Sequence, residues 1–155
     1  MSIKNFIGAR KKTKNLPENI PLKVKDYMTT SLITFKPNQS VEDVIQILIT
    51  NKISGGPVVN EKNELIGIIS EGDCIKQLSE SRYYNMPMDN LSIDKHMAKN
   101  IETIDGEMNI FDAANKFIEA KRRRFPIVVD GKLVGQISQK DVLKAAINLK
   151  GQNWK

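Results

Sequence analysis

Two stretches of the chain carry the same alternation of apolar and polar positions. Val41, Val44, Ile45, Leu48 and Ile49 fall at the spacing of one helix face, and Ile110, Ala113, Ala114, Phe117 and Ile118 repeat the spacing. Each predicted helix is preceded by a residue suited to cap it, Ser40 or Asn109, with Asp43 or Asp112 three positions on. Ahead of the cap lies a short β-prone piece, LITF (32–35) or IETI (101–104). Behind the helix comes a proline-led apolar strand, PVV (57–59) or PIVV (126–129). A turn follows: a longer polar one at 60–63 in the first stretch, and Asp130-Gly131, a strong two-residue hairpin signal, in the second. The returning strands, LIGIIS and LVGQIS, run into a further helix at Ser70 and Ser138. The element order β-α-β-β-α is therefore written twice.

Register makes the duplication specific. Met28 and Met97, Thr34 and Thr103, Asp43 and Asp112, and Pro57 and Pro126 are each 69 positions apart. After the turn, which is one residue shorter in the second copy, Leu65 pairs with Leu133 at 68, as do Gly67, Ile69, Ser70 and Asp73 with their partners. Matches spread along a whole unit with one indel inside a turn are the mark of an internal repeat. The expected organisation is an N-terminal arm (1–22), a first repeat (23–78), a linker (79–91), a second repeat (92–146) and a tail (147–155). One such unit buries a marginal core, so an α/β (α+β) fold is expected in which two units share a core as a pseudo-twofold pair. In the linker, Tyr83, Tyr84, Met86 and Met88 are expected to pack on the body or on a partner subunit.

Composition narrows the classes. Of 155 residues, 40% are hydrophobic and 27% charged, the proportions of a globular protein. No apolar run approaches the length of a membrane span, and the single cysteine, Cys74, fits a reducing compartment, so a cytoplasmic location without membrane attachment is expected. The net charge of +6 is partly local, in Arg10, Lys11, Lys12 and Lys14 and in the run Lys121–Arg124. Such clusters suit anions, nucleic acid included, but no aromatic residues interleave the first and no nucleic-acid motif accompanies either. Ile3, Phe6 and Ile7 give the arm a short apolar face that suits docking on the body. Catalysis finds few candidates: the one histidine, His96, matches Tyr27, and Cys74 matches Val142, which suits a small apolar role. No metal, nucleotide-hydrolysing or nucleophile motif occurs, so neither catalytic nor metal-binding residues are assigned, and the chain is read as no enzyme.

The repeated G-x-I-S-x-x-D, at 67–73 and 135–141, remains. Local rules explain S-x-x-D as a capping box. They do not explain a glycine at a fixed three residues before the serine, although a strand passing close to a helix would require one. A helix start offers free N–H groups to phosphate, and a carboxylate beside it suits a ligand with hydroxyl donors such as a ribose. The two together point toward a nucleotide-like ligand.

With GGPVV and FPIVV after the first helix of each copy, and this pattern in register behind both, residues 23–146 resemble a tandem pair of cystathionine β-synthase (CBS) domains, a Bateman module. Gln136 departs from the pattern in a slot usually apolar. The resemblance implies a regulatory module that binds adenosine-containing ligands in clefts between the repeats: AMP, ADP or ATP, with S-adenosylmethionine or NAD as further possibilities, and no obligatory cofactor. Carried over by position, Ser70 and Asp73 serve one cleft and Ser138 and Asp141 the other, the aspartate on ribose hydroxyls and the serine on ribose or phosphate. Ile33, Thr34, Ile53 and Ser54 would enclose adenine in the first copy, and Ile101, Thr103, Arg123 and Arg124 take the corresponding places in the second. The arginines stand where the resemblance puts a phosphate contact, whereas the first copy has only Ser54, Gly55 and Gly56 there, so unequal clefts are expected. It also implies a homodimer and a protein effector that receives the signal. Two other readings fit the composition: a basic regulator associated with nucleic acid, and a structural interaction module whose Ser/Asp pairs only cap helices.

Overall fold

The computed structural model describes residues 22–84 and 91–153, with side chains at 22–81 and 91–150. The arm residues Ile3, Phe6, Ile7 and 10–14, Met86 and Met88, and the side chains of Tyr83 and Tyr84 lie outside what it describes.

Each repeat supplies two helices and a hairpin. The first contains α1 (Val41–Asn51), β1 (Gly55–Val59), β2 (Leu65–Ser70) and α2 (Glu71–Tyr84); the second contains α3 (Ile110–Ala120), β3 (Arg124–Val129), β4 (Lys132–Ser138) and α4 (Gln139–Asn153). The α1 cap is as expected, the Asp43 N–H donating to Ser40 Oγ at 3.0 Å, and Asn109 Oδ1 accepts from the Phe111 N–H at 2.8 Å. Both α1 and α3 end on a lysine in the left-handed region, Lys52 and Lys121 at φ 54°, a conformation that ordinarily favours glycine. Asp130 (φ 53°) and Gly131 (φ 81°) both take positive φ, as a two-residue hairpin turn demands.

The leading β piece of each repeat is shorter than the sequence suggests. Phe35 makes one parallel bridge to Val58, its N–H donating to Pro57 O and its carbonyl accepting from the Val59 N–H, each at 2.9 Å. Ile104 makes the corresponding single parallel bridge to Ile127. Past Phe35 the chain turns at once: Gln39 caps Lys36 through side chain and backbone, and Pro37 has no N–H to extend a ladder. The helices, in contrast, run past the expected repeat ends, α2 to Tyr84 and α4 to Asn153.

Two compact units emerge that do not coincide with the repeats. Of the described residues, one comprises those within Thr29–Asp105 with Phe125–Gln136; the other comprises 22–28, Gly106–Arg124 and 137–153. The reason lies in two short 3-10 turns, Val24–Asp26 and Ile93–Lys95, which periodicity does not reveal. The turn that opens the second repeat serves the first: the Val41 N–H donates to Leu91 O (2.7 Å) and the Ile93 N–H to Gln39 O (2.9 Å). Ile93 is fully buried with Phe35, Val41, Val44, Val58 and Ile69, and Met97 is buried in the same cluster. Reciprocally, in the other unit, the Ile110 N–H donates to Leu22 O (2.7 Å) and the Val24 N–H to Met108 O (2.9 Å). Each repeat lends its opening turn to the other's first helix. In the first unit the two hairpin tips are also stitched together, Leu65 N–H to Gly131 O and Leu133 N–H to Asn63 O, each 3.0 Å.

Candidate functional site

The two helix starts singled out in sequence are built alike. In the first repeat Asp73 Oδ2 accepts from the Ser70 N–H and from the Ser70 hydroxyl, both at 3.0 Å, while the Asp73 N–H donates to Ser70 Oγ at 3.3 Å. In the second, Asp141 Oδ2 accepts from the Ser138 N–H at 2.9 Å and the Asp141 N–H donates to Ser138 Oγ at 3.2 Å. These are reciprocal capping boxes with aspartate in the third place. In both, the cap uses one carboxylate oxygen; the other, Oδ1, takes no hydrogen bond among the described residues. A carboxylate oxygen has two lone pairs, so Oδ1 retains accepting capacity at both positions.

A second hydrogen bond is duplicated with the cap. The Glu71 N–H donates to Ser54 O at 2.8 Å, and the Gln139 N–H donates to Arg123 O at 3.0 Å, with Gln139 Nε2 reaching Arg122 O at 3.1 Å. The segment before each proline-led strand is thereby pinned to the start of the following helix. In the first repeat this joins Ser54 to Ser70 and Asp73, with Gly55 paired to Ser70 across the hairpin. Gly55 is obligatory here, since a Cβ would stand 2.6 Å from Ile69 O. A Cβ at Gly56 would stand 3.1 Å from Ile33 O, which places Ile33 and Thr34 alongside β1 in the same unit. Ile53 and Ser54 also line a hollow of about 290 Å³ with Leu48, Ile49, Lys52 and Glu71.

In the second repeat the same bond holds Arg123, and with it Arg124, at the start of α4 beside Ser138 and Asp141. Ile101 and Thr103 belong to the other compact unit, next to Ile104, whose N–H donates to Pro126 O at 3.0 Å. The predicted residues of the first repeat thus fall in one unit, and those of the second are divided between two.

The two helix starts differ in charge. Glu71 and Asp73 open α2, whereas α4 opens with Gln139, Lys140 and Asp141 behind Arg122 and Arg123. Aligning the copies at the 68-residue offset exposes the change from Glu71 to Gln139, which the shared motif conceals. The signature glycine has a local task as well: a Cβ on Gly67 would stand 2.8 Å from Met97 Cγ, so the strand passes hard against that buried side chain. Cys74 is buried (4% exposed); burial, then the carboxylates of Asp73 and Glu71, push its thiol pKa up, away from nucleophilic character. No group of three His, Cys, Asp or Glu side chains able to hold a metal occurs among the described residues, and none of the helices there is long and apolar enough to cross a membrane.

Comparison with known proteins bears on the same residues. A family model for the CBS domain matches twice, at 24–80 and 92–148. The chloroplastic CBS domain-containing protein CBSX2 of Arabidopsis thaliana is 29% identical over 153 residues, covering 82% of this chain and 64% of that protein. An uncharacterised protein of Methanocaldococcus jannaschii is 28% identical over 162 residues, covering 99% of this chain and 55% of its own length. The chain thus spans little more than half to two thirds of these relatives. Among solved structures, CBSX2 in complex with AMP superposes with a TM-score of 0.71 at 29% identity, covering 84% of this chain and 99% of the other. The CBS domain pair of protein MJ0100, in complex with 5′-methylthioadenosine and S-adenosyl-L-methionine, gives 0.67 at 26% identity, over 84% and 100%.

Proposed function

The chain belongs to the CBS-domain family as a tandem pair of repeats, and from that premise we propose that it is a regulatory module, without catalysis of its own, that binds an adenosine-containing ligand. The observation that carries this reading is the half-used carboxylate: Asp73 and Asp141 each hold a helix start with Oδ2, while Oδ1 takes no hydrogen bond among the described residues. A ribose diol is the donor pair that fits such an oxygen, and the AMP and S-adenosylmethionine complexes of similar proteins support that class of ligand.

Ser70 and Asp73, with Ile33, Thr34, Ile53 and Ser54, form one recognition set; Ser138 and Asp141, with Arg123 and Arg124, form the other. The second has cations for phosphate. The first has Glu71, which repels phosphate and tolerates a neutral or cationic adenosine derivative such as a thioether or sulfonium. Ligand binding acts by favouring one arrangement of repeats or subunits, which requires unequal affinity for the two states. The signal passes to a separate protein through a homodimer.

Calorimetry and a thermal-shift screen with AMP, ADP, ATP, NAD, S-adenosylmethionine and methylthioadenosine test the reading. Saturable binding is expected, reduced by Asp73→Ala or Asp141→Ala according to the site filled. Failure of all six ligands to bind would overturn it.

A further inference from the structure

A hollow beside the first recognition set carries two charges that the fold does not use. It measures about 290 Å³ and is lined by Leu48, Ile49, Lys52, Ile53, Ser54 and Glu71, all of one compact unit. Lys52 ends α1 in the left-handed region, its backbone N–H donating to Ile49 O at 3.3 Å. Glu71 opens α2, its N–H donating to Ser54 O at 2.8 Å. The backbone thus fixes where each side chain starts. Neither side chain makes a hydrogen bond or an ion pair among the described residues. An ammonium and a carboxylate therefore border one hollow without neutralising each other, with Leu48, Ile49 and Ile53 as its apolar lining.

The second repeat keeps the lysine and loses the rest. Lys121 takes the place of Lys52 at the same φ of 54°. Gln139 stands for Glu71, with its Nε2 bonded to Arg122 O at 3.1 Å, and Arg122 itself stands for Ile53. Helix capping does not demand the carboxylate, since Gln139 opens α4 and makes the matching backbone bond to Arg123 O at 3.0 Å. Opposite charges beside an apolar lining belong to the first repeat and not to the repeated pattern.

We propose that this hollow binds an amino-acid head group, its α-ammonium on Glu71 and its α-carboxylate on Lys52, with an aliphatic side chain against Leu48, Ile49 and Ile53. A zwitterion answers both charges at once, whereas a simple anion or cation is opposed by one of them. The volume lies at the small end of ligand pockets and suits an amino acid of leucine's size rather than a peptide. The proposal does not rest on the adenosine reading, because Asp73 takes no part in it. The head group has two sources: a free aliphatic amino acid, or the methionyl end of S-adenosylmethionine held by the recognition set that shares Ile53 and Ser54 with the hollow.

Calorimetry and ligand-detected NMR on the whole chain test this with leucine, S-adenosylmethionine and methylthioadenosine, in wild type, Lys52→Gln and Glu71→Gln. Each variant removes one charge, and Glu71→Gln installs the residue type that already opens α4. Circular dichroism checks the folds, and Lys52→Asn, which suits a left-handed position, replaces Lys52→Gln if that variant unfolds. Saturable leucine binding is expected, weakened roughly fivefold by either variant, as for a charged contact open to solvent. Isopentylamine, which is leucine without its carboxylate, should bind more weakly than leucine to wild type and no differently from leucine to Lys52→Gln. If leucine does not bind but S-adenosylmethionine outbinds methylthioadenosine by a margin that both variants remove, the nucleoside ligand supplies the head group and the proposal holds in that form. Leucine binding that neither variant weakens would overturn it, as would the absence of both effects. Methylthioadenosine has no such head group, so its binding, unchanged in Lys52→Gln, reads the adenosine site by itself and keeps the two failures apart.

Discussion

Replacing Asp73 separates the two tasks assigned to it. Asp73→Ala removes the acceptor of the Ser70 N–H and hydroxyl at one stroke. Loss of a helix cap costs about 0.5–2 kcal/mol, and a partly buried N–H left without an acceptor falls in the same range, so the unliganded protein should lose about 1–2 kcal/mol. For a chain of this length that lowers Tm by roughly 2–8 °C. Asp73→Asn is the decisive companion. Its carbonyl oxygen takes over the Oδ2 contacts, so the loss of stability should stay below about 1 kcal/mol. Its amide then stands where Oδ1 stood and meets a ligand hydroxyl donor to donor. Removing hydrogen bonds to a charged acceptor is worth about 1.5–3 kcal/mol, so any ligand seated at this repeat should bind roughly 10- to 100-fold more weakly. The assay is a pair of melts, without and with ligand, backed by calorimetry at the Asp73 site. Should Asp73→Asn bind that ligand as tightly as wild type, the carboxylate is a cap and nothing more. An unchanged Tm in unliganded Asp73→Ala would refute the cap energetics instead.

The two glycine contacts should differ in kind. Gly55→Ala drives a Cβ into the Ile69 carbonyl, which cannot yield without breaking the hairpin, whereas Gly67→Ala meets the flexible Met97, so Gly55→Ala should lower Tm more, with overpacking of about 1–3 kcal/mol at the glycine whose neighbour can move. Equal losses would contradict this. Lys52→Gly relieves a left-handed lysine at a helix end and should raise Tm by a few degrees; a fall would show that the lysine side chain does more than end the helix. Glu107 accepts from Lys23 Nζ at 2.5 Å and Lys25 Nζ at 2.6 Å, and these bonds hold its pKa down at about 2 from the ordinary 4.5. A depressed carboxylate stabilises the fold above its unfolded pKa and loses that effect as pH falls from about 4.5 to about 2, so Glu107→Gln should flatten the acid limb of Tm against pH. An unchanged limb would mean that solvent screens the pair entirely. Cys74, buried and with its thiol pKa raised, should react with a thiol reagent at pH 8 far more slowly in the native protein than in denaturant.

Much of this fold is legible because its signals are local and written twice. The helix faces, the Ser40 and Asn109 caps, the Asp130-Gly131 turn and both Ser/Asp boxes are decided by residues within a few positions of one another. The helix-face pattern misleads at one point: Ile49 and Ile118 share the apolar period but stand more than 70% exposed, since periodicity gives a face and not what covers it. The leading strands shrink to single bridges because Phe35 and Ile104 are held by long-range hydrogen bonds that propensity does not register. The candidate site divides along the same line. Its capping geometry was readable, while the spare Oδ1 and the tie from Glu71 to Ser54 depend on how the segment before the proline meets the next helix.

The exchanged 3-10 turns explain why the repeat boundary in sequence is not a boundary in space. Leu22 and Leu91 are 69 positions apart, as are the helix starts they complete, Ile110 and Val41. In each case the carbonyl that satisfies the first free N–H of the helix comes from the opening of the other repeat, and Val24 and Ile93 enter fully buried positions with it. A repeat cut from its partner would expose a helix start and lose a core residue at the same place. Neither half can therefore finish α1 or α3 alone, and the smallest cooperative element is the pair. That follows from two backbone hydrogen bonds and two buried aliphatic side chains, whichever ligand the aspartates hold.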